Sequence, residues 1–107
     1  MEFDLNDFVT AVAARRTQWQ AAGVHWRLHH GPTRSKSSSW VDCTTAHHLA
    51  QLILWTSGEA DLEVGDILTG AITITYYEMS NTAELATCLD DLTHRLTGPA
   101  SRAWRKP

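Results

Sequence analysis

No apolar run in this chain approaches the roughly 20 residues that a membrane-spanning helix needs, so no membrane partner is expected. The start, Met1-Glu2-Phe3-Asp4, is acidic and has no apolar signal core, which predicts a cytoplasmic protein. Cysteine is scarce: Cys43 and Cys88 stand far apart and form no framework, as in a protein with reduced thiols. Phosphate-cradling glycine loops are missing, as is a Gly-x-Ser-x-Gly nucleophile elbow. Basic charge is short as well, with nine Lys and Arg against 12 Asp and Glu. Three of the nine, Arg102, Arg105 and Lys106, follow Gly98-Pro99, so the body carries six against 12. Such a body repels phosphate backbones, which excludes nucleic acid as the expected partner. It suits a basic protein instead.

What is present fits one α+β domain over residues 1–98 followed by a basic tail over 99–107. The 107 residues are 43% hydrophobic and 20% charged, an ordinary globular balance able to bury a core without metal or disulfide. Five tryptophans add weight to a binding role, since Trp is enriched where interfaces are strongest. A helix is expected over 4–22, capped by Asp4, with Phe3 and Phe8 as a staple and Leu5, Phe8, Val12 and Trp19 on its buried stripe. Arg15, Arg16 and Gln18 are expected towards solvent. Residues 30–38, with Arg34 and Lys36, read as a loop. Strands are expected over 24–28, 39–43, 49–56, 60–67 and 71–79. A final helix starts at Asn81, where Glu84 completes a capping box, and Leu85, Cys88, Leu89, Leu92 and Leu96 form its stripe until Gly98-Pro99. The simplest arrangement is a five-stranded antiparallel meander with an N-terminal and a C-terminal helix on one face. The other face is then open for a partner or a second copy.

The turns decide which residues that open face carries. A two-residue loop at Ser57-Gly58 pairs Trp55 with Ala60, Ile53 with Leu62 and Gln51 with Val64 on the core side. Leu52, Leu54, Glu59, Asp61 and Glu63 then face outwards. A three-residue loop at Leu68-Thr69-Gly70 sets Thr75 beside Glu63 and Tyr77 beside Asp61 on the same side. Trp40 and Asp42 join them if Val41 and Cys43 are core. Leucines and aromatics among a row of carboxylates describe a docking surface for a basic partner.

Other chemistries fit less well. His25, His29-His30, His47-His48 and His94 never fall into two regularly spaced ligand pairs, and adjacent strand histidines point to opposite faces, so no metal or other cofactor is expected. Asp61 and Glu63 stand roughly 7 Å apart along a strand, a separation open to acid–base hydrolysis. An open face, however, has no pocket to desolvate one of them. The chain therefore reads as a binding protein and not an enzyme. The alternatives are a homodimeric structural or regulatory module that pairs its open face with a second copy, and, further off, a small metal-dependent enzyme.

Ser39-Trp40-Val41-Asp42, then Ala50-Gln51-Leu52-Ile53-Leu54-Trp55, then Ser57-Gly58-Glu59-Ala60-Asp61-Leu62-Glu63-Val64 resemble the TriTu immunity proteins. Gly31-Pro32 and Arg34-Ser35-Lys36 also fit. The resemblance spans about residues 1–97 and is most specific over 39–66. It implies a small cytoplasmic antidote that binds and blocks a cognate toxin domain. That toxin would be an ADP-ribosyltransferase acting on elongation factor Tu, delivered between competing bacteria. No family contact residues are carried over, so the expected toxin-binding set rests on the face alone: Trp40, Asp42, Leu52, Leu54, Glu59, Asp61, Glu63, Thr75 and Tyr77.

Overall fold

The computed structural model describes residues 3–31 and 37–97. Arg34 and Lys36, Gly98-Pro99 and the basic tail lie outside the described residues. The chain runs α1 (Leu5–Ala13), α2 (Arg16–Ala21), β1 (His25–His30), β2 (Ser38–Thr44), β3 (His48–Trp55), β4 (Glu59–Asp66), β5 (Ile72–Glu78) and α3 (Thr82–Thr97). The strands form one antiparallel sheet in sequence order, the expected α+β meander. The helices cover one face of it. Phe8, Val12, Trp19, Leu85, Leu89 and Leu92 share a core with Val41, Leu52, Leu54 and Leu62 of the sheet.

Asp4 caps α1 by accepting from the Asn6 N–H at 2.8 Å. The helix expected over 4–22 is broken at Ala14 and Arg15. Arg15 does not face solvent: only 14% of its side chain is exposed. Its guanidinium donates to the carbonyls of Ala11 and Ala86 and meets Asp90 at 2.8 Å, tying the break to α3. Arg16 and Gln18 are exposed, as expected. Beyond the break Trp19 is fully buried, and its indole N–H donates to Thr93 Oγ1 at 2.8 Å, so the polar end of the ring is satisfied. Trp26 stands edge-on to it at 6.0 Å.

At the start of α3, Asn81 Oδ1 accepts from the Glu84 N–H at 2.9 Å. The Glu84 carboxylate reaches back one residue further than a capping box requires, to the Ser80 N–H. Cys88 lies in the α3 stripe and Cys43 under β2. Burial, with Asp91 and Asp42 respectively nearby, pushes each thiol up to about 12, so neither is a nucleophile near neutral pH.

Both hairpin loops are one residue longer than expected. Between β3 and β4 the loop is Thr56-Ser57-Gly58, closed by the Gly58 N–H donating to the Trp55 carbonyl at 2.9 Å. Gly58 has φ 91°, and a Cβ there would collide with the Met79 carbonyl oxygen. Between β4 and β5 the loop covers 67–70. Asp66 Oδ1 accepts from the Leu68 and Thr69 amides, and Gly70 closes the loop at φ 78°. Each extra residue slides its strand by one position against β4, which reverses every side chain on that strand.

The open-face placement of four residues is therefore corrected. Leu52 and Leu54 point at the helices and are 0% exposed, opposite Leu62 and Ala60. Thr75 and Tyr77 also lie on the helix side. Thr75 Oγ1 accepts from Arg95 at 3.1 Å, and the Tyr77 hydroxyl donates to Asp91 at 2.6 Å. Burial and that carboxylate push the Tyr77 phenol well above its ordinary value. β4 keeps its expected orientation, with Ala60, Leu62 and Val64 inward.

Gly58→Ala should accordingly lower stability by at least about 1–3 kcal/mol, from left-handed strain plus the Met79 clash. Urea melts of the two proteins check this. Gly70→Ala has open space around its Cβ and should cost less.

Candidate binding face

The open face can be laid out in four rows from β1 to β5. One row is His29, Trp40, Ile53, Asp61 and Tyr76; the next is Arg27, Asp42, Gln51, Glu63 and Ile74. Towards one end stand His25, Thr44, Leu49, Gly65 and Ile72. Towards the other stand Ser38, Trp55, Glu59 and Glu78. Trp40 and Asp42 do belong to this face, because Val41 and Cys43 are buried beneath it. Five of the expected residues are thus brought together: Trp40, Asp42, Glu59, Asp61 and Glu63.

Polarity changes across the sheet. On the β1 side, His29 stacks on Trp40 at 5.2 Å and 16°, and its Nε2 lies 3.0 Å from Asp42 Oδ2, off the hydrogen-bond direction. Gln51 donates to the other oxygen of Asp42 at 3.0 Å. Asp42 is therefore engaged by its own neighbours. β4 contributes the acidic column Glu59, Asp61 and Glu63. Glu59 accepts from the Ser57 and Tyr76 hydroxyls. The Tyr76 phenol is pushed up to about 12 by partial desolvation and by the Glu59 and Glu78 carboxylates. Asp61 and Glu63 differ: among the described residues neither has a hydrogen-bond or ion-pair partner.

The far side is apolar. On β5, Ile72, Ile74 and Tyr76 are 68%, 65% and 55% exposed, and Leu49 near the start of β3 is 53% exposed. Beside them is a shallow hollow of about 590 Å³, lined by Leu49, Gly65, Ile67 and Ile72 together with the acidic Asp42 and Glu63. It exists because Gly65 stands where any other residue would raise a side chain. A Cβ there would make only ordinary contacts, 3.8 Å from the Leu49 carbonyl oxygen and 3.9 Å from Ile72 Cγ1. Carboxylates without partners thus stand beside exposed isoleucines and a hollow. Among the described residues no three His, Cys, Asp or Glu gather as a metal site.

A family model described as immunity protein TriTu matches residues 6–95. The chain belongs to the TriTu immunity-protein family. No curated protein matches it. The TriTu match runs from α1 to the last turn of α3 and so takes in the whole sheet and its open face. The role of a TriTu protein is immunity, and its partner is a protein toxin. No helix among the described residues is long and apolar enough to cross a membrane.

Sequence reasoning missed Gln51, Ile53, Trp55, Ile72, Ile74 and Tyr76 as members of the face. One signal was available for β5. An Asp followed four residues later by Gly, as in Asp66 and Gly70, suits a loop whose amides the Asp side chain holds, and that loop is one residue longer than the one expected.

Proposed function

We propose that this protein neutralises its toxin by occlusion, laying the open sheet face over the toxin domain without catalysis. The observation that carries this reading is the pair Asp61 and Glu63. They stand partnerless in mid-sheet, with Ile53 and Tyr76 flanking Asp61, and Gln51 and Ile74 flanking Glu63. Carboxylates left unpaired by their own fold are free to meet basic groups, while the isoleucines and Trp40 supply the desolvated centre that interfaces need. The toxin is an ADP-ribosyltransferase in this proposal, and its NAD site is the target. A site that holds a dinucleotide diphosphate presents positive charge, which the β4 carboxylates would meet in place of the phosphates. The encounter takes place in the cytoplasm.

Co-expression with the toxin domain encoded beside this gene tests the reading. Growth rescue and a complex that co-purifies support it; no rescue and no complex count against it. Gly65→Leu sharpens the test, since it fills the hollow without backbone strain. It should leave the melting temperature unchanged or raised. It should weaken the complex about ten- to a hundredfold, the effect of roughly 1–3 kcal/mol of overpacking, as read by calorimetry.

A further inference from the structure

The sheet has two edges, and they differ. Ladder bonds at the two ends of β5, Asp66 N–H to the Ala71 carbonyl and Met79 N–H to the Gly58 carbonyl, fix which groups face β4. Thr73, Thr75 and Tyr77 direct their backbone groups to β4. Ile72, Ile74, Tyr76 and Glu78 direct theirs away from the sheet. Among the described residues no strand pairs with that edge, and α3 lies over β3 and β4. An exposed edge is ordinarily guarded by charge or proline. β5, Ile72-Thr73-Ile74-Thr75-Tyr76-Tyr77-Glu78, has neither until its last residue. β1 at the opposite edge carries His25, Arg27, His29 and His30.

We propose that β5 pairs antiparallel with β5 of a second copy, joining two sheets edge to edge. The strand is self-complementary about Thr75. A two-fold axis there sets Ile74 opposite Tyr76 and Ile72 opposite Glu78, so the one charged residue never meets its own copy. Thr73 then faces Tyr77 on the helix side. In this register all four residues with outward-pointing backbone groups fall in hydrogen-bonded pairs. A slide by two positions in either direction leaves some of them past the end of the partner strand. Because only one edge is unguarded among the described residues and the pairing is isologous, association closes at two. Both acidic columns stay on one continuous outer face, so the dimer is compatible with toxin binding but does not depend on it.

Sedimentation equilibrium of the full chain, without toxin, tests this, so its failure is separate from failure of the occlusion reading. The mass should rise with concentration from 11.9 kDa towards twice that value. Ile74→Pro removes an outward N–H and no bond to β4, a position where edge strands accept proline, and should stay monomeric. Circular dichroism checks that it folds. A second measurement fixes the register. Thr75→Cys, facing its own copy across a non-hydrogen-bonded pair, should form a disulfide-linked dimer on mild oxidation, and Thr73→Cys should not. The native thiols are buried and do not compete. A monomer at every concentration overturns the proposal. So does a dimer that survives Ile74→Pro, or crosslinking through Thr73→Cys in preference to Thr75→Cys.

Discussion

Reversing Asp61 and Glu63 together to lysine should abolish protection against the toxin and leave the fold intact. The two halves of this expectation come from one fact: neither carboxylate is used by its own chain among the described residues. Surface substitutions away from caps, cavities and networks usually change stability by no more than about 0.5 kcal/mol, and lengthening the β4 side chains disturbs no contact beneath the sheet. Binding responds differently. Truncating one partner of a buried, hydrogen-bonded charge pair costs about 2–5 kcal/mol, and reversal adds repulsion to the loss. Association should also slow by about ten- to a thousandfold at low salt, as steering is inverted. Surface plasmon resonance with the toxin domain reads both effects. Asp42→Asn should matter less, because Gln51 already donates to that carboxylate and His29 lies 3.0 Å from its other oxygen.

The second large effect separates two adjacent residues. Leu52→Ala should cost about 2–5 kcal/mol, because a fully buried leucine between sheet and α3 leaves a cavity. For a domain of this size each kcal/mol lowers the melting point by about 4–8 °C, so the melting curve should move down by roughly 10–40 °C. Ile53→Ala should barely move the melting curve and should weaken the toxin complex. Had the hairpin turned in two residues, the roles would be exchanged. Thermal melts paired with calorimetric titration decide this, and matched stability losses at the two positions would contradict the register.

Why the sequence resolved β4 and left β3 and β5 ambiguous follows from their residues. In β4 the alternation is clean: Ala60, Leu62 and Val64 against Glu59, Asp61 and Glu63. β3 is apolar on both sides, with Leu52 and Leu54 on one and Ile53 and Trp55 on the other, so pattern alone cannot orient it. β5 sets Ile72, Ile74 and Tyr76 against Thr73, Thr75 and Tyr77, and all are good strand formers. Orientation then depended on loop length. Thr56 and Ile67 each read as strand residues although they sit in loops. The acidic half of the face was legible because charge has only one tolerable side of a sheet. Its apolar half was not, because an isoleucine suits either side. Arg15 was misjudged for a related reason, since a long side chain can bury its stem and still satisfy its guanidinium on helix carbonyls.

The occlusion account is tested most directly by methyl NMR of this chain titrated with the toxin domain. All four isoleucines, Ile53, Ile67, Ile72 and Ile74, lie on the open face or in the loop beside it. Exposed alanines on the helices, Ala13 in α1 and Ala83 in α3, report the opposite surface. The account predicts that the Ile53, Ile72 and Ile74 methyl signals shift or broaden on binding while those of Ala13 and Ala83 stay in place. Movement of the alanine signals with the isoleucines unchanged would put the toxin on the helices and contradict it.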